Sequence, residues 1–318
     1  MDTQNKKYIQ IMTNRPKDPG LEVTNYIKNY LEERGAVCTI YADHESADQI
    51  RVQEAEHMGE ASCMIVLGGD GTLLNAAREL ADTKIPLLGV NLGTLGFLAE
   101  VELSGLDKAL DRLLNGDYSI EERMMLSGTV LRKNSMDAGE KSVPSNQISG
   151  STVPEGNASK EEVPEELSQI YALNDVAITR KGPLQVVRFR IWVNGKVLSI
   201  YGADGIVIAT PTGSTGYNLS AGGPIVQPEA KLILLTPVCP HTMNTRSIVL
   251  SSEDEIMVEV MERESNRLQE VEVNFDGNRQ FTLKSGDRIC VSRSEMTTSV
   301  IRLSEGSFLE RLHRKMSE

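Results

Sequence analysis

The chain has 318 residues, with 33 basic and 45 acidic side chains, a formal charge of −12 and a pI of about 5.0. That acidic balance argues against a protein held to nucleic acid or an anionic membrane by clustered Lys and Arg. No run of ~18 apolar residues is present to span a bilayer, and the N-terminal segment from Met1 to Lys7 lacks the apolar stretch of a secretory signal. Aromatic residues make up only 4% of the chain, so the core must be aliphatic and rich in Met. Cys38, Cys63, Cys239 and Cys290 are scattered with no C-x-x-C spacing, which predicts buried free thiols in a reducing cytoplasm.

The first third alternates strand and helix. Tyr8–Met12 is a short apolar run, followed by a Pro/Gly loop from Arg15 to Gly20. Val23, Ile27, Tyr30 and Leu31 then share one helical face, and Gly35 stands where a helix C-cap belongs. Ala36–Tyr41 and Cys63–Leu67 read as strands, the latter continuously apolar, as expected for a strand buried on both faces of a parallel sheet. A helix over Leu73–Ala81 and a strand over Ile85–Val90 follow. This alternation predicts an open, Rossmann-like α/β sheet over residues 1–122.

After Leu126 the pattern changes. Val186–Val193, Asn194-Gly195 and Lys196–Tyr201 read as a β-hairpin, and so do Glu270–Phe275, Asp276-Gly277 and Arg279–Leu283. Ile256–Met261 and Ile289–Ser292 are further short strands. Residues 123–295 are therefore predicted to form a mostly antiparallel β-sandwich. Residues 296–318 form a C-terminal segment that returns to the first domain, with a helix from Phe308 to Met316. Lys133–Gln169 is rich in Ser, Glu, Asn, Gly and Pro with no aromatic residue, and reads as a disordered or loosely held insertion inside the second domain.

Three segments could carry chemistry. Cys63–Leu67 runs straight into Gly68-Gly69-Asp70-Gly71-Thr72, placing glycines and a carboxylate at the C-terminal end of a parallel strand, where open α/β sheets bind ligands. Glycine backbone and a helix N-terminus suit a phosphate. Asp70 would repel one, so it reads as a general base or a metal contact; the bland alternative is a glycine turn with Asp70 as helix N-cap. A second glycine-bearing turn, Gly89 to Phe97, lines the same crevice or is a plain loop. The densest segment is Asp204 to Pro224, where a strand ends in small hydroxyl residues and glycines. Its hydroxyls could bind sugar or phosphate oxygens, and Tyr217 offers a flat face for a base. Asn174-Asp175 heads another apolar stretch as a turn or a site. His241 lies between prolines with no second His nearby to suggest zinc, while His44, His57 and His313 read as surface residues. Neither G-x-x-x-x-G-K-[ST] nor a G-x-G-x-x-G after the first strand is present.

Taken together, G-G-D-G-T, the Asn-Asp pair, the T-P-T-G-S-T-G-Y-N-L-S-A-G-G-P block and P-V-C-P-H resemble the ATP-NAD kinases in motif and in order, from about Tyr8 to the C-terminus apart from the insertion. The resemblance implies phosphorylation of the adenosine 2′-hydroxyl of NAD by ATP, with Mg²⁺ bridging the donor's phosphates, in a homodimer or homotetramer. It implies Asp70 as proton acceptor and Gly68, Gly69 and Gly71 against phosphate. It also implies dinucleotide contacts from Asn174, Asp175, Asp204, Thr215, Tyr217, Asn218 and Ser220, in a crevice between an α/β domain and a β-sandwich. Three positions depart from the pattern. Gly202 stands where some such proteins carry Arg, a change that goes with acceptance of NADH as well as NAD. Asn75 replaces a basic residue, removing one positive contact to phosphate, and Asn278 replaces a common Gln. Two rivals share parts of the pattern: a lipid kinase of the diacylglycerol type, which also uses G-G-D-G-T, and a dinucleotide sensor without catalysis. The missing basic or amphipathic membrane surface weighs against the first, and the intact G-G-D-G-T with Asp70 against the second.

Overall fold

A computed structural model describes residues 6–42, 61–93, 96–133, 169–182, 186–242, 245–262, 269–303 and 308–317. His44, His57, Thr94, Leu95 and residues 134–168 of the predicted insertion lie outside the described residues.

The N-terminal half is β1 (Tyr8–Thr13), α1 (Glu22–Glu32), β2 (Val37–Ala42), β3 (Ala61–Gly68), α2 (Asp70–Glu79), β4 (Leu87–Asn91), β5 (Val101–Glu102) and α3 (Leu106–Asn115). Strands β2, β1, β3 and β4 pair in parallel in that order. The unbroken apolar run of β3 has a simple cause. Cys63, Ile65 and Leu67 pack with α1 and α3, whereas Met64 and Val66 face α2, so both faces are covered. At the end of α1 the Gly35 N–H bonds the Glu32 carbonyl and the Ala36 N–H the Leu31 carbonyl, the paired closure that glycine permits.

The C-terminal half follows: β6 (Ser119–Leu131), β7 (Ile170–Ala172), β8 (Asp175–Arg180), β9 (Val187–Val193), β10 (Lys196–Ala203), β11 (Gly205–Ala209), β12 (Leu232–Val238), β13 (Ile248–Ser251), β14 (Ile256–Val260), β15 (Glu270–Phe275), β16 (Arg279–Lys284), β17 (Arg288–Arg302) and a terminal helix α4 (Phe308–Met316). One antiparallel sheet runs β13-β12-β11-β8-β15-β16. It packs on β9, β10, β14, β6 and β17 around Phe189, Ile206, Ile208, Val273, Phe275 and Ile289, which forms the sandwich core. Asn194 and Gly195 both take positive φ (51° and 73°) in the predicted hairpin.

Sequence reading placed a short strand at Ile289–Ser292, yet β17 spans 15 residues. Its middle, from Ser294 to Ser299, has no apolar periodicity, and the ladder with β6 extends it instead, with an irregularity between Arg293 and Thr297. The lower part of β17 pairs with β14, and Val300 pairs in parallel with Leu87 of β4. The parallel sheet and one layer of the sandwich are thus a single continuous sheet. The predicted limits at 122 and 295 fall inside β6 and β17. The expectation of uniformly buried thiols is corrected: Cys38 and Cys63 are buried and Cys290 is partly covered, but Cys239 is exposed, in left-handed backbone (φ 44°) just beyond β12.

Candidate active site

The helix after β3 starts at Asp70, three residues earlier than apolar periodicity predicts, because Gly69 supplies the extended turn before it. Asp70 is therefore the first helical residue, not the N-cap. Its carboxylate points away from its own helix, and its oxygens accept the Phe97 N–H (2.9 Å) and the Leu98 N–H (3.2 Å). The glycine turn after β4 makes room for this: a methyl group at Gly96 would stand 1.9 Å from Asp70 Oδ1. Two backbone donors fix the carboxylate while leaving lone pairs for a ligand. One turn along the same face of α2, Leu74 lines a cavity of about 420 Å³ whose other walls include Asn174, Asp175, Tyr217, Thr179 and Asp276.

The opposite wall is organised by a residue that sequence reading took only as a turn. Asp276 adopts φ 52°, and its carboxylate accepts the backbone N–H groups of Leu173 (2.9 Å), Asn174 (2.7 Å) and Asp175 (3.1 Å). This arrangement presents Asn174 and Asp175 at the head of β8. Gly213 completes it, since a methyl group there would lie 2.1 Å from the Asn174 carbonyl oxygen. Among the described residues, the buried Asn174 Oδ1 has no hydrogen-bond partner.

Burial, and secondly the neighbouring Asp276 charge, push the Asp175 carboxyl up to about 7, against a single backbone hydrogen bond from Tyr217. Burial raises Asp276 too, but its three N–H donors and the Arg78 charge oppose this, so Asp276 carries the charge when only one of the two is ionised. A carboxyl whose folded pKa lies above its unfolded value holds an extra proton between the two. Its stabilising contribution is complete below about pH 4 and is lost as pH rises through about 7. At ~1.4 kcal/mol per pKa unit, Asp175→Asn should raise Tm by several degrees at pH 8 and by clearly less at pH 5. Thermal melts at the two pH values check this, and an equal shift at both would show that Asp175 does not titrate between them.

The hydroxyl-rich block behaves differently from the expectation that its hydroxyls face a ligand. Thr210, Thr212 and Ser214 are buried and internally bonded: Thr210 Oγ1 donates to the Leu173 carbonyl (2.6 Å), Ser214 Oγ exchanges hydrogen bonds with Val226, and Thr212 Oγ1 accepts from Arg123 (3.3 Å). Arg123 is itself held by Glu121, and Glu121 by Arg302 of β17. Asn218 is likewise fully buried, with its amide on the Ser214 and Pro224 carbonyls and its oxygen on Thr236. These side chains shape the turn, because a buried polar group left without a partner costs roughly 1–3 kcal/mol. Tyr217 reaches the cavity, whereas Ser220 is exposed and Thr215 Oγ1 bonds the Thr212 carbonyl.

Other predicted residues lie outside the cavity lining. Asp204 pairs with Arg180 (3.1 Å) beyond the Thr179 end of the cavity. Gly202 lies on β10, where a methyl group would meet Val186 Cγ1 at 3.1 Å. Asn75 accepts hydrogen bonds from Arg78 and Asn278, and Arg78 also donates to the Phe275 carbonyl (2.7 Å), which ties α2 to the β15–β16 turn. Gly68, Gly69 and Gly71 lie at the start of α2, and a methyl group at Gly69 would stand 2.8 Å from Lys17 Nζ. Sequence reading missed Asp276, whose left-handed Asp-Gly turn was a faint signal, and Lys17, which gave none. It also missed Leu74, Ala177 and Thr179, which patterning marks only as core positions.

Residues 6–118 match the ATP-NAD kinase N-terminal domain and residues 173–303 the ATP-NAD kinase C-terminal domain. The chain belongs to the ATP-NAD kinase family. A NAD kinase of Lachnospira eligens is 40% identical, with 98% of this chain and 100% of that protein covered. One of Lachnoclostridium phytofermentans is 38% identical, over 97% and 98%. The fold is shared with yeast NADH kinase complexed with NADH (TM-score 0.71, 21% identity, 99% and 89% covered) and with an Archaeoglobus fulgidus NAD kinase in complex with ATP (TM-score 0.70, 20% identity, 98% of each). The chain is accordingly an enzyme, a kinase that transfers phosphate to NAD, and neither the lipid-kinase nor the sensor reading is favoured. Among the described residues, no helix is long and apolar enough to cross a membrane.

Proposed function

We propose that the enzyme transfers the terminal phosphoryl group of ATP to the adenosine 2′-hydroxyl of NAD, with Asp70 as general base. The observation that carries this reading is the placement of the Asp70 carboxylate. It is fixed by two backbone donors at the start of α2, beside Gly68, Gly69 and Gly71 and one helical turn from Leu74, the α2 residue that lines the 420 Å³ cavity. The glycine turn takes the donor phosphates, while Asn174, Asp175 and Tyr217 take the acceptor, with further acceptor contacts from Asp204 and Gly202. Asn218, Thr215 and Ser220 act by holding the turn that presents Tyr217, and Asn75 and Asn278 by tying α2 to the late hairpin.

In this arrangement Asp70 accepts the 2′-hydroxyl proton as the oxygen–phosphorus bond forms and the bond from the γ-phosphorus to the bridging oxygen breaks. ADP leaves, and Asp70 returns its proton to solvent. Among the described residues no cluster of three or more His, Cys, Asp or Glu side chains could cage a metal. Mg²⁺ would enter on the nucleotide as part of the substrate, held by the donor's phosphates, waters and at most one or two carboxylates.

Val197, Leu198 and Ile200 are exposed on the sheet-edge strand β10, which supports a second copy covering that edge; sedimentation velocity reads this directly. Free thiols and the acidic balance support a cytoplasmic protein.

The test is incubation of the purified chain with Mg²⁺, a panel of phosphoryl donors and either NAD or NADH, scoring the phosphorylated dinucleotide. ATP with NAD should give NADP; binding of NAD without product would instead identify a sensor. With Gly202 in place of Arg, NADH should also be phosphorylated, and undetectable NADPH would remove that part of the reading.

A further inference from the structure

The β1–α1 loop brings a cation to the glycine turns. Lys17 follows Asn14-Arg15-Pro16 in a segment anchored on both sides. The Asn14 N–H bonds the Leu67 carbonyl, and its side-chain amide donates to Thr72 Oγ1 (3.1 Å) of the G-G-D-G-T segment. Next to Lys17, the buried Asp18 carboxylate accepts the Thr24 N–H (2.9 Å) and Oγ1–H (2.7 Å) in the first turn of α1. The base of the Lys17 side chain is therefore fixed, and its ammonium lies over the site. Methyl groups at Gly69 and Gly93 would stand 2.8 Å and 3.7 Å from its nitrogen. Lys17 is exposed, and among the described residues no acidic side chain forms an ion pair with it. Other cations near these walls are engaged: Arg78 holds the Phe275 carbonyl and Asn75, and Lys315 sits 5.7 Å from the centre of the Phe97 ring.

We propose that Lys17 contacts the terminal phosphates of the donor nucleotide, supplying from the β1–α1 loop the positive charge that α2 lacks at Asn75. The inference rests on the reading of the glycine turns as the donor-phosphate site. An ammonium on a four-carbon stem reaches a phosphate without fixed geometry, as phosphate-binding lysines do. Its position opposite the N-terminus of α2 places two sources of positive potential on one anion. A methyl group at Gly69 would meet only the flexible end of Lys17, moving the ammonium away from the turn. The role is separable from that of Asp70, which holds a proton and not the donor.

The test uses the full chain as wild type, Lys17→Met and Lys17→Arg, the first keeping the stem without its charge. Equilibrium titration with Mg-ATP, independent of turnover, should show affinity about tenfold weaker in Lys17→Met and largely restored in Lys17→Arg. Affinity for NAD should stay within about twofold, and the KM for ATP should rise in parallel with little change in kcat. Equal Mg-ATP affinity in wild type and Lys17→Met would overturn the inference even if NADP is made. Weakened ATP binding in a chain that makes no NADP would uphold Lys17 and overturn the proposed reaction instead.

Discussion

Asp70→Asn is expected to lower turnover at least about a hundredfold while NAD binding stays within a few-fold. A positioned general base contributes typically 10²–10⁴-fold, or about 3–5 kcal/mol of barrier, and an amide cannot take the 2′-hydroxyl proton. The substitution is nearly isosteric, so the helix start and cavity wall should persist. One local cost follows from the geometry. Asp70 oxygens accept the N–H groups of both Phe97 and Leu98, whereas an asparagine offers one oxygen and one amide, so one donor loses its acceptor. A modest drop in Tm is therefore expected beside the kinetic loss, and kcat has to be measured well below the melting transition. Near-normal turnover would remove Asp70 from the chemistry and leave it as the brace of the Gly96–Leu98 segment.

Asp276→Ala should have the largest effect on stability among the site residues, and should weaken NAD binding without touching the donor. Three backbone N–H groups lose their acceptor at once, each worth roughly 1–3 kcal/mol when buried. The low end applies because the turn is partly open to solvent, and alanine at φ 52° adds strain. A loss of ~3 kcal/mol, seen as a fall in Tm of roughly 4–6 °C, is the expected result, with the KM for NAD rising about tenfold as the Asn174–Asp175 turn loosens. Asp276→Asn separates acceptor from backbone: it tolerates the left-handed turn and keeps an oxygen for the Asn174 and Asp175 donors, so its loss should be clearly smaller. Unchanged Tm in the alanine variant would mean that solvent satisfies all three donors.

The sequence by itself determined what depends on local chemistry. The apolar run of β3, the Asn194-Gly195 and Asp276-Gly277 turns, the alternation of strand and helix before Leu126 and the placement of G-G-D-G-T behind a parallel strand are all written in residues adjacent along the chain. Periodicity and turn propensity act over a few residues, so they are legible there. The resemblance to the ATP-NAD kinases rested on the same kind of local signal.

Tertiary structure alone decided which polar groups are available. Hydroxyls at Thr210, Thr212 and Ser214 look like ligand contacts in sequence, yet they are buried and bonded to Leu173, Arg123 and Val226. Asp276 looks like a hairpin residue and proves to hold the acceptor wall. Lys17 belongs to an unremarkable loop until the strand order places β1 beside β3 and brings its ammonium over Gly69. The length of β17 was hidden for the same reason, since the ladder with β6 on both sides of an irregular middle extends it, not any pattern of its own. A hydrogen bond or a close approach between residues a hundred positions apart leaves no periodic trace, because only the packed sheet order decides which of them meet.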